Sequence, residues 1–361
     1  MDLLEQARQI INETDDEMRR LFVRRMDAVR MVAEYKKQHG LPILDQARED
    51  AIARRNSERV EDPELREYYI NFIRGNMELS RAYQSRLLEG MRAAYCGTEG
   101  AFAHIATGKL FPSAQRIAYG NFEDAYHAVE RGECDVAVLP VENSYQGEVG
   151  QVTDLMFSGS LYVNKMLDLA VSHDLLVKPG VTIDEVKTVI SHPQALGQCS
   201  DRIKGAGWLT QEYPNTALAA KYVASCEDRT IAAIASEEAA EVFGLDVLER
   251  NLNASRSNTT RFAVFSRAEN DRSAGNMGSR FILTFTVRNE AGALARAVDV
   301  VGRYGFNMHA LRSRPMKDLL WQYYFYIEAE GDVHTREGED MMRALSVFCD
   351  RLKLVGSYTI S

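Results

Sequence analysis

Two sets of residues in this sequence have the types and spacing to do chemistry. The first is Asn258-Thr259-Thr260-Arg261-Phe262, which leads straight into the apolar segment Phe262-Ala263-Val264-Phe265. An amide, a hydroxyl, a cation and an aromatic ring at the mouth of a strand set polar groups over a hydrophobic floor, as sites built from loop residues on a rigid scaffold do. The same residue types also suit an ordinary turn, with Asn and Thr bonding their own backbone. The second set is cationic. Arg25 and Lys36 lie eleven residues apart in one helical pattern; at 100° per residue they share a face, about 16 Å apart along the axis, where two long side chains can clasp a small dianion. Arg8 precedes Arg25 by seventeen residues, roughly 25 Å on a straight helix, too far to touch the same small ligand. A functional Arg8 therefore serves a second site, most simply that of a partner chain.

The elements that must position these groups fall into three regions. In residues 1–39 apolar Leu3, Ile10, Met18, Leu21, Val29 and Val32 recur at helical spacing, and Gly40 and Pro42 end the helix. A second helix is expected over 45–60, and Asp62-Pro63 opens a third that runs to about 88. No strand signal interrupts them, so residues 1–90 form an all-helical unit. Past Gly90, strand-like runs at 93–96, 136–139, 186–190, 231–235 and 262–265 alternate with helical stretches such as 121–131 and 216–225. That alternation predicts an α/β domain over 91–269 with a largely parallel sheet, whose strand-to-helix loops are the natural ligand sites. Three loops stand there: Gly97-Thr98-Glu99-Gly100-Ala101-Phe102, Pro140-Val141-Glu142-Asn143-Ser144-Tyr145-Gln146-Gly147, and Asn215-Thr216-Ala217. Residues 270–279 have a linker's composition. Strand 280–287, helix 292–304, strands 308–314 and 321–328, helix 336–351 and strand 353–359 then give a βαββαβ order, which is ferredoxin-like, over 279–361.

Composition narrows the function classes. The chain has 361 residues, too many for one core, and a net charge of −9 with no block of like charges argues against a nucleic-acid binder. No apolar run is long enough to span a membrane, and the charged opening from Asp2 is unlike a signal peptide. The five cysteines are widely spaced and form no CxxC pair, and the histidines show no paired spacing. No metal, no disulfide framework and no organic cofactor is expected, and a reducing cytoplasm is the expected compartment.

Residues 1–90 resemble the all-helical chorismate mutase domain at the start of bifunctional chorismate mutase/prephenate dehydratases, an intertwined dimer whose long helix spans both active sites. Arg8, Arg25 and Lys36 match that family's motif cations. Asp45, Arg48 and Glu49 match the cluster opening the second helix, and Ser80 and Gln84 match positions late in the third. The resemblance implies that Arg8 from the partner, Arg25 and Arg48 hold the two carboxylates of chorismate with help from Ser80. Lys36 and Gln84 donate to the breaking ether oxygen, and Asp45 and Glu49 orient the ring hydroxyl. A pericyclic rearrangement needs no nucleophile and no proton transfer, so compressing the substrate and stabilising developing charge is all that the protein can contribute.

Residues 91–269 resemble prephenate dehydratase through Tyr95-Cys96-Gly97, Glu142-Asn143-Ser144 with Gly147, Ser191-His192-Pro193-Gln194, and Asn258 to Phe262. The implied fold is two-lobed, like periplasmic binding proteins, with the site in the cleft. Thr260 is placed at the leaving ring hydroxyl of prephenate, acting by a positioned hydrogen bond relayed from Arg261 or water. Asn143, Ser144 and Thr216 anchor substrate over Phe262, while the fixed turn at His192-Pro193 favours a structural role for that histidine. Residues 279–361 resemble the ACT domain, an amino-acid-sensing module. Gly292, Ala293 and Leu294 match its effector loop, and Ser313 and Arg314 keep part of its Glu-Ser-Arg-Pro motif, but Arg312 replaces the glutamate. Arg312 is accordingly expected at the effector site, where it would weaken phenylalanine sensing. The whole reads as a cytoplasmic homodimer, or higher homo-oligomer, that converts chorismate to prephenate and prephenate to phenylpyruvate without a cofactor. The rival reading is a non-catalytic amino-acid-binding regulator whose helices serve only for dimerisation, a role that does not need Lys36 and Gln84 facing inward.

Overall fold

The computed structural model describes residues 2–253, 258–269, 279–316 and 322–359. It divides into two compact units, Met1–Met91 and Arg92–Ser361.

The first unit is three helices: α1 (Leu3–His39), α2 (Gln46–Ser57) and α3 (Pro63–Glu89). A capping box starts α1, the Asp2 carboxylate accepting from the Glu5 amide at 2.7 Å and Glu5 from the Asp2 amide at 3.1 Å. Gly40, at φ 64°, ends it in the left-handed conformation. The carboxylate of Asp45 caps α2 and that of Asp62 caps α3, where Pro63 fills the first turn. Both α1 and α2 pack on α3. The apolar stripe of α1 is mostly bare within the chain: Leu3, Leu4, Ile10, Ile11, Leu21 and Phe22 are exposed. Beside it a 690 Å³ groove is lined by Met18, Leu21, Phe22, Phe72 and Leu79.

The second unit carries three sheets. The first contains β1 (Arg92–Cys96), β2 (Gln115–Tyr119), β3 (Val136–Asn143), β4 (Gly147–Glu148), β5 (Tyr162–Ala170) and β11 (Thr259–Ser266), in the order β2-β1-β3-β11-β5 with β4 on β3. The second contains β6 (Asp174–Val177), β7 (Thr188–Ser191), β8 (Leu209–Glu212), β9 (Ile231–Ala235) and β10 (Asp246–Glu249), in the order β10-β6-β9-β7-β8. Both are mixed rather than largely parallel: β11 runs antiparallel to β3 and β5, and β6 antiparallel to β9 and β10. The reason is the path of the chain. It leaves the first sheet after β5 to build the second and returns after β10 to insert β11 between β3 and β5, antiparallel to both. The two lobes expected from the sequence are these two sheets. Helices α4 (Phe102–Leu110), α5 (Phe122–Glu130) and α6 (Gly150–Ser158) belong to the first lobe, and α7 (Pro193–Gln198), α8 (Ser200–Ala206), α9 (Thr216–Ser225) and α10 (Glu237–Phe243) to the second.

The third sheet has β12 (Ser279–Val287), β13 (Met308–Pro315), β14 (Tyr323–Glu330) and β15 (Cys349–Thr359) in the order β13-β14-β12-β15, with α11 (Ala293–Arg303) and α12 (Arg336–Leu345). This is the ferredoxin-like arrangement. One face of the sheet packs on the two helices through Phe281, Leu283, Phe285 and Ile327. Ile282, Tyr326, Val355 and Tyr358 on the other face join the core of the first lobe. Helix α12 ends at Leu345 rather than near 351, because residues from Cys349 onward already pair with β12. The expected linker, apart from Ser279, and Trp321 lie outside the described residues. Among the described residues no helix is long and apolar enough to cross a membrane.

Candidate active sites

In the helical unit Arg25, Glu49, Ser80 and Gln84 gather where α1 and α2 pack on α3, while Arg8 and Arg48 do not. Arg25 is half-buried and donates to the Asn76 carbonyl at 3.1 Å and to the Ser80 hydroxyl. Ser80 in turn donates to the Asn76 carbonyl at 2.6 Å. One turn further along the same face, Gln84 is buried; its Nε2 donates to the Ser80 carbonyl at 3.3 Å and its Oε1 has no protein partner. Lys36 donates to the Ile43 carbonyl at 2.5 Å, fastening the end of α1 to the loop before α2. Glu49 pairs with Arg81 of α3, a cation that the sequence reading did not select. Asp45 has a structural task as well, since its carboxylate accepts from the Arg48 amide at 3.0 Å. The Arg48 and Arg8 side chains are exposed. Burial lowers the Arg25 guanidinium from its usual value, though it remains a cation. The result is a sheltered group of polar side chains, Arg25, Ser80 and Gln84, with the Glu49–Arg81 ion pair tying α2 to the same helix.

Among the described residues, the second site is built on neutral amides and a hydroxyl. Thr260 and Asn143 face each other in register on β11 and β3. Asn143 Nδ2 donates to Thr260 Oγ1 at 2.9 Å and to Asn258 Oδ1 at 3.0 Å. The orientation of this amide is fixed, because its Oδ1 accepts the Tyr145 and Gln146 amides at 2.9 and 3.1 Å. Asn258 Nδ2 then donates to Gln198 Oε1 at 3.0 Å, and His173 Nε2 lies 3.0 Å from the same oxygen. With that oxygen an acceptor, His173 carries its proton on Nε2. Burial holds His173 below the usual imidazole range, so it is neutral at pH 7. The chain of amides spans both lobes and ends on the oxygen of Thr260. That oxygen is an acceptor here, so the hydroxyl proton points away from Asn143. Ser144 Oγ accepts the Thr259 amide at 3.0 Å, and buried Phe262 lies beneath the pair. Gln198 and His173 carry no signal of their own in the sequence, since each is a lone polar residue that only the fold brings to Asn258.

The lobes meet beside this chain. Gly100, at φ +81°, brings its backbone against Ala217, Ala239 and Phe243; a Cβ would sit 3.1 Å from the Phe243 ring. Thr216 opens α9 next to that contact, behind the Asn215 cap. His192 caps α7 through the Gln194 amide at 3.3 Å, the structural role expected of it.

Three expected placements are corrected. Arg261 is not beside Thr260. Neighbouring strand residues point to opposite faces, and Arg261 pairs with Asp168 at 2.8 Å and lies 3.6 Å from Glu328 on the reverse side. These carboxylates raise its pKa, so it is a fixed cation and relays no proton. Arg312 faces the first lobe, where it donates to Glu142 at 2.7 Å. Arg314 pairs with Asp154 at 2.8 Å and with Glu148 at 3.7 Å. Ser313 takes the alternate face, opposite Phe325 in register. Phe325 and Leu294 line a separate 530 Å³ pocket with Arg288, Glu290 and Tyr323, next to Gly292 and Ala293 at the start of α11.

The comparisons with known proteins agree with this division. Residues 7–85 match the chorismate mutase type II family and residues 93–270 the prephenate dehydratase family. The bifunctional chorismate mutase/prephenate dehydratase of Neisseria gonorrhoeae is 32% identical over 366 residues, 99% of this chain and 97% of that protein. Among solved structures, the prephenate dehydratase of Arthrobacter aurescens in complex with L-Phe aligns with a TM-score of 0.68 and 25% identity, over 74% of this chain and 90% of its own. GqqA, described as a novel type of quorum-quenching acylase, aligns with a TM-score of 0.69 and 29% identity, over 74% of this chain and 98% of its own. Two enzyme families matched in order, and a relative with both activities aligned almost end to end, show that this chain belongs to the bifunctional chorismate mutase/prephenate dehydratases.

Proposed function

We propose that this chain takes chorismate to phenylpyruvate in two independent steps, with residues 1–90 performing the rearrangement, 91–269 the dehydration and 279–361 the regulation. In the first step Arg25, Arg48 and the partner chain's Arg8 hold the carboxylates, with Ser80 assisting. Lys36 and Gln84 stabilise charge growing on the ether oxygen, and Asp45 and Glu49 orient the ring hydroxyl. A dimer is part of this reading: the bare stripe of α1 and the groove beside it suit a second copy of the helix.

In the second step prephenate loses its ring carboxylate as carbon dioxide. The bond electrons enter the ring, and the ring hydroxyl departs as hydroxide, which takes a proton from solvent to become water. The observation that carries this reading is the locked Asn143 amide, which donates to Thr260 Oγ1 and so frees the threonine proton for the departing oxygen. A threonine is too weak an acid to lose its proton outright, so it contributes a placed hydrogen bond. Asn143, Ser144 and Thr216 anchor the substrate. The GqqA likeness shows that this fold admits other chemistry, which makes the direct test chemical. Supplied with chorismate alone, the protein is expected to form phenylpyruvate; formation of prephenate only, or of neither, contradicts the reading.

The carboxy-terminal module reads as an ACT domain that binds phenylalanine. The support is its ferredoxin-like topology and the pocket beside Gly292, Ala293 and Leu294, with Ser313 on the face of Phe325. Arg314 belongs to the junction with the first lobe instead. A cytoplasmic location fits the free cysteines.

A further inference from the structure

The sheet that carries Asn143 and Thr260 has a reverse face, and the ferredoxin-like layer grips it directly beneath them. Their chain neighbours Glu142 and Arg261 stand opposite each other in register and point to that face. Arg312 of β13 donates to Glu142 at 2.7 Å and lies over the Tyr326 ring, 5.2 Å from its centroid. Arg261 lies 3.6 Å from Glu328 of β14, itself held by Arg280 at 2.9 Å and Tyr358 at 2.6 Å. The Glu328 side chain is only 3% exposed and that of Arg312 22%, so solvent screens these contacts poorly. The register between β3 and β11 also shifts between Arg261 and Phe262. At such a bulge the backbone ladder is interrupted and fixes local geometry least, and this is where the two side-chain ties attach.

We propose that Arg312 and Glu328 are positioning residues for the dehydration: by holding Glu142 and Arg261 they set the separation of β3 and β11 where Asn143 meets Thr260. The carboxy-terminal module is then a working part of the dehydratase site, whether or not an effector is bound. The tie through Arg312 is a property of this chain, since a glutamate at that position would face Glu142 with like charge. The inference rests on Thr260 as the hydroxyl donor.

The test measures both activities of full-length variants. Arg312→Glu is expected to lower dehydratase kcat roughly tenfold or more, as a small misplacement of a catalytic donor does. KM should change less than about twofold, and mutase activity should match the parent, showing that the chain is folded. Arg312→Lys keeps the charge and should recover most of the turnover. The swap Glu142→Lys with Arg312→Glu should restore activity relative to either single variant, which loss of packing alone does not explain. The proposal is overturned if Arg312→Glu turns over within about twofold of the parent, or if the swap is no better than the single variants. The outcomes separate cleanly. If Thr260→Val is inactive and Arg312→Glu is normal, only this inference fails; if Thr260→Val is active, the reading of the site itself fails.

Discussion

On the proposed reading, the helical site and the cleft site hold a dianion differently, and the contrast follows their chemistry. The helices offer fixed cations, Arg25 and Lys36, whose partners in the chain are backbone carbonyls and one hydroxyl. The cleft offers a relay of neutral amides ending on Thr260, with Arg261, its neighbour on the strand, turned to the other face. A rearrangement that only shifts charge within its substrate is served by permanent charges. A dehydration must aim one proton at one oxygen, and an amide locked by two backbone donors does that. The sites also differ in completeness. The cleft draws Asn143, Thr260, Gln198 and His173 from a single chain, whereas the helical site leaves Arg8 about 25 Å from Arg25 and an apolar stripe uncovered.

The largest effect that sharpens this contrast is expected from Asn143→Asp. It turns the donor to Thr260 into an acceptor, so the threonine proton swings back to the new carboxylate. Dehydratase turnover should fall roughly 10²-fold or more while mutase turnover is unchanged. Steady-state rates on prephenate and on chorismate decide it, and a loss shared by both activities would mean global damage instead.

Completeness is tested by mixing. Arg8→Ala and Arg25→Ala chains should each lack mutase activity, yet a mixture allowed to exchange subunits should regain up to about a quarter of the native rate, because a mixed dimer holds one intact site. No recovery, with exchange demonstrated, would place both arginines in one chain's site.

A smaller change is expected from Gln84→Glu. The new carboxyl is buried, which raises its pKa above the usual carboxylate range, and it donates only while protonated. Mutase activity should therefore be lost as pH rises through that pKa and recover as pH falls, while the parent profile stays flat in that range. An unshifted profile removes Gln84 from the ether oxygen. The smallest effect is Asp62→Ala, which deletes the cap of α3 and should lower the stability of the helical unit by about 1 kcal/mol in urea unfolding.

How far the sequence could be read depended on whether function followed a local period. Arg25 and Lys36 were legible as a pair because helical spacing fixes which residues share a face, Ser80 and Gln84 only through the family resemblance, and the helix ends were marked by Gly40 and Pro63. Ferredoxin-like order was legible for the same reason, one element at a time. The mixed sheets were not, since the return of the chain to insert β11 leaves no local mark. The amide relay was also hidden, because Gln198 and His173 join it from separate parts of the chain, through Asn258 and Asn143. Arg261 could have been placed correctly: next to Thr260 on a strand, it must face the other way. Arg312 could not, because its partner Glu142 is remote in sequence and belongs to another sheet.

The most direct measurement is a time course of Thr260→Val supplied with chorismate. This variant keeps the side chain's shape and deletes only the hydroxyl, so prephenate should accumulate at the parent's mutase rate while phenylpyruvate forms roughly 10²-fold more slowly or not at all. Phenylpyruvate released at the parent rate would contradict the assignment of Thr260 as the donor to the departing oxygen.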